Sequence, residues 1–337
     1  MILITTPDYL PRIGGLTTLT LDLEKVLKAL EIKYEVFQWN SQSEILSYSN
    51  ENLEKYKLII NIHFLFGYYK QHAQNKMINI LHGSEVLFTS PTWWKRLVKK
   101  ALRSKMIAHL ESCQTNLFIS EFTFNLLKTF SYKANYGRDV VYHNGIDTTS
   151  SAFISKDLNS SDVIKFVCIA RDVKHKNIAG CVALCELAQI KLNKKVQLTL
   201  PKDAHYTSDK ITIINLSSQS EEDKNKAYKE AHFNLLLSSY DRTRGFVEGF
   251  GLTVLESAVY SAPSIVMRSG GLTDSVHENE TGWIVNKVNM KELSEIFDNK
   301  ILKDYERVSK KCFDHTISSH HLSEWGRIFG SICEVAA

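Results

Sequence analysis

Two α/β domains, each built on a parallel sheet, are what this sequence predicts, and three observations carry the prediction. Short apolar runs alternate with amphipathic helical stretches along most of the 337 residues, which is the β-α-β pattern of a parallel sheet. The alternation breaks between 148 and 162, where Ser, Asn and Asp dominate and no periodicity survives. A chain of this length also exceeds what one hydrophobic core usually serves. The first domain therefore reads as 1–150, and the second opens at 151.

The bulk properties narrow the class. Hydrophobic content of 44% with 23% charged residues is ordinary for a soluble globular protein. No apolar run is long enough to span a bilayer, and Met1-Ile-Leu-Ile-Thr-Thr reads as a first strand rather than a signal peptide, so a cytoplasmic protein is expected. A net charge of +4 is too mild to argue for nucleic acid as a partner. The six cysteines (Cys113, Cys168, Cys181, Cys185, Cys312 and Cys333) lack paired metal spacing and read as reduced structural thiols, so no metal site is expected.

Strands are expected at 1–6, 33–39, 57–64, 76–81 and 116–120 in the first domain. Gly14-Gly15 opens the first helical pattern, where a glycine pair lets an anion approach the backbone, although Gly-Gly is also a common turn. The pair is not Gly-x-Gly-x-x-Gly, so no nicotinamide or flavin cofactor is implied. His82 leaves the carboxyl end of the 76–81 strand, which is where ligands bind in α/β sheets; a loop histidine capping the next helix is the plainer alternative. Trp93 and Trp94 then precede a helix carrying Lys95, Arg96, Lys99, Lys100, Arg103 and Lys105. That composition fits an interfacial helix favouring anionic lipid. It fits equally a solvated surface helix with Leu97 and Ala101 packed inward.

In the second domain the strand 164–170 runs into Arg171 and Lys176, two cations leaving one strand end together, an arrangement suited to a diphosphate. Further strands are expected at 196–200, 211–216, 233–239 and from Ser264. Between the last two lies Glu248-Gly249-Phe250-Gly251-Leu252-Thr253-Val254-Leu255-Glu256. A helix beginning near Gly251 leaves the N–H groups of Gly251, Leu252 and Thr253 without intrahelical partners, which suits a phosphate. Gly249 and Gly251 permit unusual backbone angles and close approach. Glu248 and Glu256 bracket the turn and can accept hydrogen bonds from hydroxyls.

This nonapeptide resembles the Glu-x7-Glu motif of retaining GT-B glycosyltransferases, most closely glycosyltransferase family 4 (glycosyl transferases group 1). The resemblance extends to Gly14-Gly15, His82, Asn144-Gly145-Ile-Asp147, the Arg171 and Lys176 pair, and Gly270-Gly271 with Asp274 in place of the commoner Glu. It implies a GT-B fold, two Rossmann-like domains facing each other across a deep cleft, with the segment 311–337 returning from the second domain (151–310) to the first. It implies transfer of a sugar from a nucleotide diphosphate sugar, UDP- or GDP-linked, with retention and without a metal or other cofactor. Glu248 would contact the donor sugar, Glu256 the ribose, and Arg171 and Lys176 the diphosphate, with Gly14 and Gly15 nearby. His82 would donate a hydrogen bond near the reacting sugar. The acceptor would be a hydroxyl of a glycan or lipid-linked molecule, as in lipopolysaccharide, O-antigen or capsule synthesis, and the enzyme could be peripheral on a membrane. A non-catalytic or epimerase-type sugar-nucleotide binder is the alternative. The loop 240–247 looks longer than in typical members, and its Arg242 and Arg244 are further candidates for an anionic donor or acceptor.

Overall fold

β-Branched and leucine-rich runs of three to six residues become the strands of two parallel six-stranded sheets in a computed structural model of the chain. The structure describes residues 1–11, 14–149 and 151–335, with side chains to Ser331. The expected boundary residue Ser150, the final two residues and the Cys333 side chain lie outside the described residues. The chain divides into two units. One comprises Met1–Asp147, Arg242–Gly245 and the chain from His321 onward; the other comprises Thr148–Asp241 and Phe246–His320.

The first unit's sheet runs β2-β1-β3-β4-β5-β6, from β1 (Ile2–Thr6), β2 (Tyr34–Gln38), β3 (Leu58–Asn61), β4 (Met77–Leu81), β5 (Thr115–Phe118) and β6 (Asp139–Val141). A row of polar side chains crosses its interior in register. Thr5 Oγ1 donates to Asn61 Oδ1 at 2.8 Å, Asn61 Nδ2 to Asn79 Oδ1 at 3.0 Å, and Asn79 Nδ2 to Asn116 Oδ1 at 3.0 Å. Asn116 Nδ2 then reaches Asp139 Oδ1 at 3.1 Å. Each amide is fully buried and each is paired, the condition under which buried polar groups are tolerated.

The second sheet runs β12-β11-β10-β7-β8-β9, from β7 (Val163–Val167), β8 (Lys195–Leu200), β9 (Thr212–Asn215), β10 (Phe233–Leu236), β11 (Ser264–Met267) and β12 (Gly282–Val285). β12 is not among the strands expected from the sequence. Its Trp283, Ile284 and Val285 are buried and pair in parallel with β11, a short strand that the surrounding Asn, Glu and Gly residues disguise. The Leu302–Ser319 helix stays with the second unit, where Tyr305 donates to the His232 carbonyl at 3.0 Å and Ser309 to the Ser261 carbonyl at 2.7 Å. The return to the first unit therefore begins at His321 rather than at 311, and the first crossing follows Asp147 rather than 150. On the returning Leu322–Val335 helix, Trp325 is buried against Tyr142, ring centroids 5.1 Å apart.

The patternless stretch 148–162 is tied down. Ile154 N donates to Ser261 Oγ at 2.9 Å, and Lys156 Nζ donates to the carbonyls of Ala231 at 2.6 Å and Tyr260 at 2.7 Å, one just beyond each of two helices. Three imidazoles are held neutral. Burial pushes His63, His109 and His232 down to about 4, and His232 Nδ1 accepts from Lys165 N at 3.0 Å. An unfolded chain binds protons at these sites first, from about pH 6.5. Their contribution is thus intact above pH 6.5 and is lost as the pH falls towards 4. Melting temperature measured from pH 7 to 4.5 should drop steadily, and His232→Asn should flatten that slope. An unchanged slope in the variant would remove His232 from the account.

Candidate active site

In the second unit the loops after three strands converge on one glutamate, Glu248. The chain leaving β7 passes Arg171 and forms a tight turn, with Val173 N on the Arg171 carbonyl at 2.8 Å and Lys176 N on the Val173 carbonyl at 2.8 Å. Asn177 follows in the left-handed region and caps the Ile178–Leu192 helix through Gly180 N at 3.2 Å. This turn aims Lys176 Nζ at Glu248 Oε2, an ion pair in which both side chains are only 16% exposed. From the end of β10, Ser238 Oγ donates to the same oxygen at 3.2 Å, and Ser239 N holds the His175 carbonyl at 2.7 Å. From the end of β11, Gly271 N donates to the Glu248 carbonyl at 2.8 Å. Glu248 is thereby fixed at side chain and backbone by the loops after β7, β10 and β11.

The surrounding potential is positive. Burial lowers the His175 imidazole, the neighbouring Lys176 and Arg171 push it further down, and Glu248 opposes them. The His175 ring stacks on Phe246, centroids 4.7 Å apart. Arg171 itself is exposed. A neutral His175 flanked by two cations and one paired carboxylate is a surface that a dianionic group would complete.

Beyond Glu248 the turn is rigid. Gly249 and Phe250 are buried. Gly251 has φ +89°, and a Cβ there would meet Leu272 Cδ2 at 2.7 Å and Leu236 Cδ2 at 2.9 Å, so only glycine fits. The helix that starts at Leu252 runs only to Ala258, and the Thr253 hydroxyl in its first turn is buried without a hydrogen-bond partner. Glu256 lies one turn further in, and its Oε2 accepts from Tyr228 OH at 2.9 Å.

Sequence reasoning named Arg171, Lys176, Glu248 and Glu256, with Lys174 and His175 as extra basic candidates, but not Ser238 or Tyr228 as their partners. Ser238 was legible as the residue leaving an apolar strand end. Tyr228 carried no such signal, since it lies on a polar helix preceding β10.

In the first unit, Gly14 adopts an extended conformation (φ −170°) as the N-cap of the Gly15–Ala29 helix. A Cβ on Gly14 would lie 3.2 Å from Asp8 Oδ2, whereas one on Gly15 would meet nothing within 4 Å. The glycine pair therefore sits beside a carboxylate rather than a cation. His82 follows β4, with its Nε2 2.9 Å from the Ile62 carbonyl and its backbone N–H donating to Glu85 Oε1. A carbonyl only accepts, so Nε2 carries the proton. Burial lowers the ring below its ordinary value, so it is neutral and Nδ1 is an acceptor. The sequence expectation that His82 donates is corrected to this extent: its donor nitrogen is occupied by the backbone.

The basic helix spans Trp93–Ser112. Trp93, Trp94, Lys95, Lys100 and Lys105 are exposed. Arg96 turns back, its Nε donating to the Ser90 carbonyl at 3.1 Å, and Arg103 lies over the Phe130 ring at 5.2 Å. Burial lowers the Lys99 ammonium while Glu85 pulls it up. Leu97 and Ala101, expected inward in the surface-helix reading, are exposed instead. Arg242 also lies over Phe130, at 4.6 Å, and donates to Thr129 Oγ1 at 3.3 Å, which is why Arg242–Gly245 groups with the first unit.

Two units, each a parallel six-stranded α/β sheet, are the architecture of the GT-B fold. Residues 150–312 match the family described as Glycosyl transferases group 1. No curated protein sequence matches significantly. Among solved structures, the chain is similar to HepE of Anabaena in complex with UDP and glucose (13% identity, 99% of each chain, TM-score 0.71). It is similar also to sucrose-phosphate synthase of Thermosynechococcus elongatus (16% identity, 99% of this chain and 98% of that one, TM-score 0.74). A third is WaaG, a glycosyltransferase involved in lipopolysaccharide biosynthesis (10% identity, 97% of this chain and 99% of that one, TM-score 0.66).

Proposed function

We propose that the protein is a retaining, metal-independent glycosyltransferase that moves a sugar from a UDP-linked donor to a hydroxyl of a glycan or lipid-linked acceptor in surface polysaccharide synthesis. The observation that carries this reading is the convergence of Lys176, Ser238 and Gly271 on Glu248, beside Arg171, at the carboxyl ends of three adjacent strands. HepE, solved with UDP and glucose, favours uridine over guanosine, and WaaG favours a surface-glycan pathway.

In this reading the departing diphosphate takes Lys176 and Arg171 as its counter-charges. Both are already in place, so little reorganisation opposes the build-up of negative charge as the glycosidic bond breaks. Lys176 is shared between Glu248 and the diphosphate, which sets the distance between the sugar's hydroxyls and its leaving group. Glu248 accepts from a donor hydroxyl, and Glu256, steadied by Tyr228, accepts from the ribose. The Thr253 hydroxyl and the N–H groups beginning at Gly251 lie beside these groups as phosphate donors. Gly14, Gly15 and His82 are the candidates on the first unit. His82 contributes as an acceptor through Nδ1.

A thermal-shift panel of UDP, GDP, ADP and their glucose conjugates tests the reading. UDP and a UDP-sugar should raise the melting temperature, and Glu256→Ala should weaken that rise, because a ligand that binds only the native state stabilises it by about 2.7 kcal/mol at a hundredfold excess over Kd. Sugar transfer to an added acceptor, with the anomeric configuration kept, should follow. Absence of a shift with every nucleotide would end the transferase reading, and donor isomerisation without an acceptor would convert it to the epimerase alternative.

A further inference from the structure

The loop between β10 and Glu248 is divided between the two units. Its tip, Arg242–Gly245, belongs to the first unit, while the chain up to Asp241 and from Phe246 belongs to the second. Two backbone hydrogen bonds close the tip into a tight hairpin, Asp241 N to the Phe246 carbonyl at 2.8 Å and Phe246 N to the Asp241 carbonyl at 3.0 Å. Three contacts seat it. Arg242 lies 4.6 Å over the Phe130 ring and donates to Thr129 Oγ1 at 3.3 Å, and Thr89 Oγ1 donates to the Thr243 carbonyl at 3.1 Å. Gly245 turns back at φ +77°, where a Cβ would stand 3.1 Å from Thr89 Cγ2, so the backbone passes flush against that residue. The foot of the hairpin is tied as well. Phe246 stacks on His175, centroids 4.7 Å apart, and Glu248 follows two residues later, paired with Lys176.

We propose that this hairpin is a latch, in which Arg242, seated on Phe130 and Thr129, is a positioning residue that holds His175 and Glu248 where a sugar nucleotide meets them. The effect on turnover rests on the transferase reading; the seating of the tip does not. Arg242 is thereby withdrawn from the anion-binding role that the sequence offers it, since a ring face and a hydroxyl engage its guanidinium. The contacts suit a latch rather than a permanent joint. Arg242 and Thr129 are both exposed, so each contact is weak on its own, and the tip can leave and return without unfolding either sheet. Once the tip is released, the chain entering Glu248 is restrained only by the two-bond bridge, the Phe246–His175 stack and the bonds of Glu248 itself.

Amide hydrogen exchange and steady-state kinetics on the full chain test the latch. Arg242→Ala, Phe130→Leu and Thr89→Val should each speed exchange of the Asp241 and Phe246 N–H groups about tenfold, the loss expected for one such contact. Each should also raise the KM for UDP-glucose about tenfold and leave the Kd for UDP unchanged, because Glu248 meets the sugar and not the nucleotide. R242A/F130L should be no worse than the worse single variant, since both remove one contact. Arg242→Lys keeps a cation and a donor and should restore most of the loss. Lys128 is the control for charge alone: it donates to Asn125 Oδ1 and lies over Phe124, and Lys128→Ala should change neither readout. Additive losses in R242A/F130L would assign Arg242 to an anionic ligand and overturn the proposal. So would unchanged exchange in Arg242→Ala, or faster exchange with a parental KM. Melting temperatures of all variants separate a released tip from lost folding. A parent chain that binds no nucleotide would end the transferase reading, and exchange alone would then decide whether the tip is latched.

Discussion

Lys176→Met is expected to lower kcat by about 100- to 1000-fold with a melting temperature close to that of the parent. One preorganised charge aimed at developing negative charge is worth roughly this much. Methionine keeps the length and packing of the lysine stem but leaves Glu248, 16% exposed, without its cation. Steady-state kinetics should separate the two partners. Lys176→Met loses mainly kcat, because the leaving diphosphate gains its full charge only as the bond breaks. Glu248→Gln keeps a polar group of the same shape, so UDP binding should persist while the KM for the sugar nucleotide rises. Parental turnover in Lys176→Met would remove the ion pair from the mechanism.

Gly270→Ala should cost activity without altering any group that touches substrate. Gly270 has φ +59°, and an added Cβ would lie 2.5 Å from the Glu248 carbonyl oxygen and 3.0 Å from Val247 Cγ2. A left-handed alanine carries strain of about 1–3 kcal/mol, and here the obstacle is backbone, which cannot swing aside. The neighbouring Gly271 N–H holds the same carbonyl at 2.8 Å, so any relief displaces Glu248. We expect a drop of several degrees in melting temperature and roughly a hundredfold loss of turnover, a 1 Å misplacement being enough for that. Gly326, in a helix with nothing within 4 Å of its Cβ position, is the control and should accept alanine without loss of stability. A Gly270→Ala enzyme as active and as stable as the parent would show that the loop yields, and that Glu248 is not held by it.

Much of the architecture was legible because a parallel strand is a short apolar run and a covering helix an amphipathic one, so the alternation itself spells the sheet. Of the candidate site, Arg171 and Lys176 were legible as cations following a strand end, whereas Glu248 and Glu256 were read from their resemblance to the Glu-x7-Glu motif. Three kinds of feature were not legible. Partners brought together across long separations, such as Ser238 on Glu248 or Tyr228 on Glu256, depend on how loops close and leave no spacing to read. Orientation about a helix axis was ambiguous too. With leucines and lysines interleaved, periodicity alone could not tell which face of Trp93–Ser112 looks outward, and the structure turned Leu97 and Ala101 to solvent and Lys99 inward. β12 hid for a third reason, being only four residues long among turn formers.

The row of amides through the first sheet has a consequence for how that sheet assembles. Isoleucine and leucine dominate its strands and are nearly interchangeable in packing, so greasiness alone would let neighbours slide or swap. Asn61, Asn79 and Asn116 each need the amide of the adjoining strand, at one register only. A strand displaced by a single residue would flip its side chains and strand a dry carboxamide on either side. A sheet lacking one central member would likewise leave two amides with nothing to bind. The ladder therefore works like a numbered zip: it penalises incomplete and misaligned intermediates more than it rewards the finished sheet, and it makes β1, β3, β4 and β5 close together or not at all.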